Sequence, residues 1–391
     1  MKIKRLTAIP SRVPLKMTVR HASCSRRDTD NIIVRCQLDN GIVGWGEGVP
    51  RPYVTGETIN TVMATLERSK LPGQLGASMS DIADAVKLCE SILLDVNKVD
   101  ERNCRSNAAR CALELSILDA MTRSCEVPLS QVTETVPESF AIRASNPIVH
   151  YSAPITSMSA WKQSVRGRLA RWYGFRDCKV KVGVDGVDDS EMLTRVRRAI
   201  GQRMTLRADA NEAWAADQAV DKISALTKFN IAAIEQPVAH DASDALTEIR
   251  NQVDIPIMLD ESLCSLPDAD RAIECGLCDV FNIRLSKCGG FINSLKIAAT
   301  AHRVGLRYQL GCQVGETGIL SAAGRAFDAS VANIEFVEGS YDRFLLKQNV
   351  TTNNVNWSAR GQALPLDAPG LGVDVDEDRV SRLAQKKIDL I

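Results

Sequence analysis

Three acidic residues each follow a short apolar run, and they recur at intervals of about one strand plus one helix. They are Asp209 in MTLRADAN, Glu235 in IAAIEQP and Asp260 in IPIMLDES. In a parallel β/α barrel this spacing places three carboxylates on adjacent strands at the C-terminal rim, where barrel enzymes keep their chemistry. Carboxylate oxygens suit a hard divalent cation. The spacing therefore predicts a site for Mg²⁺, with Mn²⁺ as the alternative ion.

Two lysines lie at the end of a strand-like run one interval upstream. In CKVKVG, Lys179 and Lys181 alternate with valine, so both side chains face the same side of a strand. Lys181 is the predicted base, because the ammonium of Lys179 and a bound cation both favour the neutral form of its amine. Lys179 is predicted to bind the carboxylate of a substrate. The predicted chemistry is removal of a proton α to that carboxylate, with the metal ion stabilising the resulting enediolate.

Each motif by itself has a structural explanation. An acidic residue after an apolar run is common at helix N-caps, and a KVKV strand can face solvent. The functional prediction rests on four such motifs that occur in consecutive order at a near-constant interval.

The composition favours a small-molecule partner. Lys plus Arg and Asp plus Glu both number 48 in 391 residues, so no net field favours nucleic acid or an anionic membrane. No apolar stretch reaches the roughly 20 residues of a membrane-spanning helix, and the opening MKIKRLTAIPSR lacks the apolar core of a secretory signal. We expect a cytoplasmic protein that acts on a small-molecule carboxylate.

The twelve cysteines are not arranged as a disulfide framework. Most lie in apolar or strand-like text, as Cys36, Cys111 and Cys178 do, and buried free thiols are expected. Cys275 and Cys278 form a CxxC, but no second Cys or His pair follows at zinc-ligand spacing. The cysteines therefore predict no zinc site.

The pattern of apolar residues divides the chain into a cap, a barrel and a returning segment. Alternation around the turn Asp39-Asn40-Gly41 predicts antiparallel strands, and three- and four-residue periodicity predicts helices from about Gly56 to Arg123. This is an α+β capping domain over residues 1–130. Short apolar runs then alternate with helical text over 131–352, which predicts parallel β/α units. The turn-rich residues 353–391 are predicted to run back to the cap. The eight predicted barrel strands lie near 149–155, 177–182, 204–209, 231–235, 256–260, 279–284, 306–312 and 334–338.

These motifs resemble the enolase superfamily, and within it the muconate lactonizing enzyme subgroup, which also contains N-acylamino acid racemases and dipeptide epimerases. The resemblance spans nearly the whole chain and rests on the KxK, ADAN, IEQP and LDES motifs, on NIRLSKCGG, and on GWGEG and GCQVGETG. It implies a modified (β/α)7β TIM-like barrel, an α/β fold, with the α+β cap completed by the C-terminal segment. It also implies a homo-oligomer.

The resemblance further implies that two cap loops set substrate specificity. They map to residues 19–26 and 49–57. Within them, four side chains could contact an anionic or aromatic substrate: Arg20, His21, Arg51 and Tyr53. Neither loop identifies a substrate.

One position departs from the subgroup pattern. The resemblance implies a second acid/base lysine on the sixth strand, and the spacing from Asp260 leads to Arg284 there. Lys287, three residues later, matches a further lysine common in the family and is not predicted to replace the catalyst. Arginine stays protonated, so it can stabilise an anion but cannot serve as a second base. The alternative role for Arg284 is a salt bridge with Glu261 or Glu316.

The arginine favours one-base chemistry, with a muconate-cycloisomerase-like or syn-dehydratase outcome. The alternative is an N-acylamino acid racemase or dipeptide epimerase. An alternative of another class is a catalytically idle carboxylate-binding protein, and a metal-free structural barrel is a further one. None of the four histidines lies near the seventh strand end, which disfavours the mandelate-racemase-like branch.

Further polar residues near the strand ends are predicted to support the site. Asn211 is expected to order a metal-bound water, and Glu261 to accept hydrogen bonds from the lysines or Arg284. Gln313 and Glu316 are expected to bind polar groups of the substrate, with Glu338 as a weaker candidate. The backbone N–H groups after Gly289-Gly290 could receive a substrate anion.

Overall fold

The computed structural model of the chain describes residues 1–20, 25–96, 104, 106–156 and 159–391. The strands are β1 Ile3–Arg20, β2 Ser25–Leu38, β3 Val43–Gly48, β4 Val149–His150, β5 Ala153–Ile155, β6 Asp177–Lys181, β7 Thr205–Asp209, β8 Ile231–Glu235, β9 Ile257–Leu259, β10 Val280–Ile283, β11 Arg307–Leu310, β12 Ile334–Val337, β13 Gln362–Ala363 and β14 Ile388–Asp389. The helices are α1 Pro52–Thr55, α2 Ile59–Arg68, α3 Leu71–Gln74, α4 Ile82–Ser91, α5 Asn107–Ser124, α6 Val132–Thr135, α7 Ala160–Tyr173, α8 Asp189–Ile200, α9 Ala216–Ser224, α10 Leu246–Arg250, α11 Leu266–Glu274, α12 Phe291–Arg303, α13 Gly318–Ser330, α14 Asp342–Leu345 and α15 Glu377–Leu383.

The N-terminal region is an antiparallel sheet covered by helices. Its strand order is β14-β1-β2-β3, and the predicted turn at Asp39-Asn40-Gly41 joins β2 to β3. β14 comes from the C-terminal segment and pairs with β1 at Thr7 and Ala8. The predicted α+β cap completed by the C-terminal segment is therefore confirmed, while the exact domain boundaries stay a prediction.

Three glycines of β3 bring the cap sheet against the backbone of α5. A Cβ added at Gly46 would lie 2.0 Å from the carbonyl oxygen of Ala112, and one at Gly48 would lie 2.0 Å from that of Ala108. Gly44 is equally close to the backbone of Ala120. Since no side chain larger than hydrogen fits at these three positions, the alternation in GWGEG is a packing requirement.

Residues 153–337 form a parallel barrel of the (β/α)7β type. The sheet order is β12-β11-β10-β9-β8-β7-β6-β5, and a helix follows each strand from β5 to β11. A parallel bridge between Tyr151 and Val337 joins the two ends of the sheet, with the Ser152 N–H donating to the Val337 carbonyl at 2.7 Å. All eight predicted strands are confirmed, although the first is divided. Its start, β4, pairs antiparallel with β13 of the C-terminal segment instead.

Two buried carboxylates of the cap accept hydrogen bonds from the N-termini of two barrel helices. Glu47 on β3 accepts hydrogen bonds from the backbone N–H groups of Thr317 at 2.9 Å and Leu320 at 3.0 Å, at the start of α13. Glu114 on α5 accepts from the Ile292 N–H at 3.0 Å, at the start of α12. A negative side chain at a helix N-terminus satisfies unpaired donors and interacts favourably with the helix dipole. These contacts fix the cap over the C-terminal side of the barrel.

The cysteines and the helices also bear on the expectations from the sequence. Cys36, Cys111 and Cys178 are free and buried, as expected. Among the described residues, no helix combines the length and apolar character needed to cross a membrane.

Candidate active site

The parallel register places the predicted residues side by side on adjacent strands. Lys181 on β6 is the Cα partner of Asp209 on β7, and Asp209 is the partner of Glu235 on β8. Asp260 follows the end of β9 directly. All three carboxylates are almost fully buried, at 3%, 1% and 0% exposure. The structure therefore brings together the residues whose spacing predicted a rim site.

Lys179 is held by carboxylates rather than offered to a substrate. Its Nζ lies 2.9 Å from Glu338, 3.1 Å from Glu235 and 3.3 Å from Asp209. Burial by itself lowers the pKa of Lys179, but the three carboxylates raise it well above its usual value. In this arrangement the Lys179 ammonium already contacts protein carboxylates, so it is not free to form the expected contact with a substrate carboxylate. Lys179 instead forms ion pairs with carboxylates at the ends of three strands.

Lys181 has a neutral partner. Its Nζ donates to the Asn211 Oδ1 at 2.6 Å, and the Asn211 N–H donates to the Asp209 Oδ1 at 3.1 Å. Asn211 adopts a left-handed φ of 45°, which asparagine tolerates better than most residues. Asn211 was predicted to order a metal-bound water, and in the structure it links the Nζ of Lys181 to Asp209 through its own side chain and backbone N–H.

Arg284 lies against two of the three predicted metal ligands. Its Nη2 is hydrogen-bonded to the Asp260 Oδ2 and lies 3.3 Å from the Glu235 Oε1. These partners differ from Glu261 and Glu316, the carboxylates expected for a salt bridge. A guanidinium thus compensates the charge of two carboxylates at the rim.

Asp260 is fixed by two further side chains. Lys287, fully buried, donates from Nζ to the Asp260 Oδ1 at 3.0 Å and to the backbone carbonyls of Asp260 and Asn282. Gln236 accepts the Asp260 N–H at 3.0 Å. Burial favours a higher pKa for Asp260, but Arg284 and Lys287 hold that pKa below its ordinary value. Lys287 is therefore a positioning residue for the strand end, in keeping with its not replacing the catalyst.

The pKa of Glu235 is raised, whereas that of Asp260 is lowered. Burial raises the pKa of Glu235, the charge of Asp209 raises it further, and the ammonium of Lys179 only partly compensates. Its Oε1 also accepts a hydrogen bond from the Asn282 Nδ2 at 2.9 Å. A carboxylate that carries this excess of nearby negative charge would gain from an additional cation.

Three other predicted residues, Glu261, Gln313 and Glu316, also lie at the rim. The Glu261 Oε2 is buried and has no hydrogen-bond partner among the described residues, so the bonds expected from the lysines or Arg284 do not reach this oxygen. Both polar side-chain atoms of Gln313 are likewise buried and unpartnered within the described part of the chain. Glu316 accepts the Gln313 N–H at 2.6 Å, and burial raises its pKa to about 8. These buried polar groups are suited to a ligand.

The anion site expected after Gly289-Gly290 does not form. The first N–H groups of α12 are occupied by Glu114 from the cap, and a Cβ at Gly290 would lie 2.5 Å from the Glu114 carboxylate. A substrate anion has no access to donors that a protein carboxylate already holds. The expectation is wrong because a residue from another part of the chain caps this helix.

The cap loops are described in part. His21 and the side chain of Arg20 lie outside the described residues. Arg51 is buried and donates to the Val314 carbonyl at 2.8 Å, which joins its loop to the segment after β11. The Tyr53 hydroxyl is hydrogen-bonded to the guanidinium of Arg26. Arg51 therefore connects the cap to the barrel rather than presenting its charge to solvent.

Four polar residues contribute more than the sequence indicated. Gln236 and Asn282, the latter contacting Glu235, were not predicted at all, and Glu338 was a weaker candidate although it lies nearest Lys179. Arg207, only 1% exposed, donates to Glu338 at 2.9 Å inside the barrel. One available signal was period-two alternation, since Arg207 and Asp209 point to the same side of β7. Asn282 on β10 likewise lies two residues before Arg284.

The donor set of Asp209, Glu235 and Asp260 fits Mg²⁺ in ligand chemistry and strand placement, because all three supply carboxylate oxygens from adjacent strand ends. In the structure, the side chains of Lys179, Arg284 and Lys287 contact these carboxylates. Among the described residues, no group of three or more His, Cys, Asp or Glu side chains is arranged to hold a metal ion. One oxygen of Asp260 is hydrogen-bonded to Arg284 in this arrangement.

The fold and rim define a barrel enzyme with an N-terminal cap. Residues 163–379 match the family described as Enolase C-terminal domain-like, and residues 3–133 match the Mandelate racemase / muconate lactonizing enzyme N-terminal domain. The chain therefore belongs to the enolase superfamily. The predicted superfamily, fold and enzyme class are confirmed.

The curated relatives are racemases and epimerases. The chain is 28% identical over 98% of both chains to an N-succinyl-L-Arg/Lys racemase from Bacillus cereus, whose crystal structure superposes with a TM-score of 0.86 over both full chains at 25% identity. It is 30% identical to a hydrophobic dipeptide epimerase from Enterococcus faecalis over 95% of this chain and 99% of the relative. A dipeptide epimerase from Cytophaga hutchinsonii, crystallised with Mg and D-Ala-L-Val, superposes with a TM-score of 0.84 over both full chains at 26% identity.

These relatives support the alternative prediction better than the muconate-cycloisomerase-like one. A 2-chloromuconate cycloisomerase from Rhodococcus opacus superposes with a TM-score of 0.84 over 99% of this chain and all of that one, but at 22% identity it shows the fold alone. The relatives with higher identity match the alternative prediction, which named N-acylamino acid racemases and dipeptide epimerases. The motifs identify the superfamily, and they are shared too widely within it to select a substrate.

Proposed function

We propose that this chain is a Mg²⁺-dependent enzyme that removes the proton α to the carboxylate of an N-acylated or peptide-linked amino acid, with Lys181 as its base. The relatives that act on N-succinyl amino acids and on dipeptides support this substrate class. Asp209, Glu235 and Asp260 would hold the ion. A bound Mg²⁺ would supply Lewis-acid stabilisation for the negative charge that develops on the substrate carboxylate.

The placement of Lys181 and Arg284 on opposite sides of the barrel carries the proposal. β6 and β10 are four strands apart in either direction around an eight-stranded closed sheet. A substrate α-carbon between them presents one face to an amine and the other to a guanidinium. Because a guanidinium cannot accept a proton at ordinary pH, proton transfer occurs only on the Lys181 face.

The proton removed from the substrate is held on the Lys181 Nζ, which Asn211 orients at 2.6 Å. Lys181 then returns the proton to the same face, or it protonates a β-substituent that departs from that face in a syn elimination. Arg284 stabilises the developing anion. The chain thus differs from a two-base epimerase, in which a second base delivers a proton to the opposite face.

The proposal is tested by NMR in D₂O with Mg²⁺, using N-succinyl and N-acetyl amino acids and dipeptides of each configuration, with muconates and sugar acids for comparison. We expect deuterium to enter one configuration, and the recovered substrate to retain that configuration. The rate should fall by about 10³-fold or more in Lys181→Met, since a positioned base contributes on this scale. Lys222→Met, an exposed lysine on α9, is the matched control.

Four outcomes would contradict the proposal. Exchange into both configurations would indicate a two-base epimerase, and an unchanged rate in Lys181→Met would remove the base. Metal binding without exchange of any compound would favour the idle carboxylate-binding alternative. Conversion of muconates alone would restore the cycloisomerase prediction.

A further inference from the structure

The predicted metal ligands already hold cations of the protein itself. Asp260 has one oxygen hydrogen-bonded to Arg284 and the other 3.0 Å from Lys287. Glu235 lies 3.3 Å from the same Arg284 nitrogen. A divalent ion that bound these oxygens would have to replace hydrogen bonds between buried ions, which are among the stronger ones in proteins.

The guanidinium is engaged in a way that permits its displacement. A single nitrogen, Nη2, contacts both Glu235 and Asp260, whereas the strongest arginine–carboxylate pairs use two parallel hydrogen bonds. The Nε of Arg284 is buried without a hydrogen-bond partner among the described residues. Arg284 is therefore less firmly held than Lys287, which donates to three protein oxygens.

We propose that Arg284 is an internal competitor of the metal ion, so that its positive charge lowers the affinity of the carboxylates for divalent cations. The inference rests on the proposed function, because it takes Asp209, Glu235 and Asp260 as the ligands. The competition has two parts. The guanidinium occupies oxygens that the ion needs, and its charge repels the ion in a buried site where such repulsion is strong.

The competition has a consequence for the order of binding. A ligand that draws the guanidinium away from Asp260 and Glu235 raises the affinity for the ion, and the ion then raises the affinity for that ligand by the same factor. An anionic substrate group is suited to this role. Metal and substrate are therefore expected to bind together.

The proposal is tested on the full chain after treatment with a chelator. Binding of Mn²⁺ is measured by electron paramagnetic resonance and binding of Mg²⁺ by calorimetry, both without substrate. The neutral variants Arg284→Met and Arg284→Gln should bind each ion about tenfold or more tightly than the wild type, which corresponds to the loss of one charge-assisted contact. Arg284→Lys keeps the charge and should remain within about threefold of the wild type, about half of that difference on a logarithmic scale.

Two controls locate the effect. Arg303→Met removes an exposed arginine of α12 and should leave the affinity unchanged. Glu235→Gln in the Arg284→Met background should remove the gained affinity if the ion binds at the rim. Thermal unfolding of each variant shows that it is folded, and testing two neutral substitutions allows for the failure of one.

Equal or weaker binding in both folded neutral variants, with clear binding in the wild type, would overturn the competition and leave the proposed function standing. Absence of binding in the wild type and in every folded Arg284 variant would overturn both. Retention of the gained affinity in the double variant would place the ion elsewhere and would also overturn the proposal.

Discussion

Buried carboxylates at the interface between cap and barrel receive backbone N–H groups, whereas those at the rim receive lysine and arginine side chains. Glu47 and Glu114 accept from the first N–H groups of α13 and α12. Asp209, Glu235 and Asp260 lie against Lys179 or Arg284. Helix donors are fixed by the backbone, while a side-chain cation can rotate away. The hydrogen bonds at the interface therefore hold the cap on the barrel. At the rim, a ligand can replace the lysine or arginine side chains that now contact the carboxylates.

The largest difference between the regions is expected when Glu47 is shortened. Glu47→Ala leaves the Thr317 and Leu320 N–H groups and the Thr317 hydroxyl without their acceptor. At roughly 1–3 kcal/mol for each unsatisfied buried group, the free energy of unfolding should fall by about 3 kcal/mol or more. Urea denaturation measures this loss, and Glu47→Gln, which keeps one acceptor oxygen, should lose less. A loss below about 1 kcal/mol would show that water replaces the carboxylate and that the comparison fails.

Glu114 provides a test through pH. Burial raises the pKa of Glu114 from its ordinary value of 4.5 to about 7, so the folded state holds this proton more tightly than the unfolded state does. Its contribution to stability is fully present below pH 4.5 and is lost as the pH rises through 7. The stability of Glu114→Gln relative to the wild type should therefore increase by about 3 kcal/mol between pH 4 and pH 8. Urea denaturation across this range measures it, and parallel profiles for the two proteins would contradict the assignment.

The smallest effect on stability is expected at the rim. Glu235→Gln removes attraction to Lys179 and Arg284, but it also removes repulsion from Asp209 and Asp260, which raises the pKa of Glu235. Without metal, these opposing changes offset each other in part, so the free energy of unfolding should fall by less than the loss of about 3 kcal/mol expected for Glu47→Ala. Stabilisation by added Mg²⁺ should disappear, because one ligand is lost. Thermal unfolding with Mg²⁺ and with chelator distinguishes this result from a loss as large as that of Glu47→Ala, which would make Glu235 a structural residue.

The sequence predicts the rim well because strand ends in a parallel barrel repeat at a regular interval. Asp209, Glu235 and Asp260 each end or follow a strand at the predicted place, and the alternation of Lys179 with Lys181 is visible without a structure. The same interval leads to Arg284, and the family resemblance marks that residue as a departure. Apart from this departure, these inferences use only local periodicity and one topological rule.

Contacts between distant parts of the chain could not be predicted in this way. Glu114 reaches α12 across 178 positions, and no local pattern indicates that it fills the N-terminus where a substrate anion was expected. The rotamer of Arg284, which selects Asp260 over Glu261, depends on packing in three dimensions. The choice between cycloisomerase and epimerase relatives likewise depends on surfaces that the shared motifs do not describe.

The glycine alternation in β3 links substrate processing to a contact that lies outside the rim. Glu47 lies between Gly46 and Gly48. The close approach of β3 to α5 therefore determines where the Glu47 carboxylate meets the N-terminus of α13. The segment before α13 carries Gln313 and Glu316. A single methyl group at Gly46 would push the strand away from the Ala112 carbonyl and carry this whole loop with it. Because a displacement of about 1 Å can cost about 100-fold in rate, turnover would be lost with every rim side chain intact.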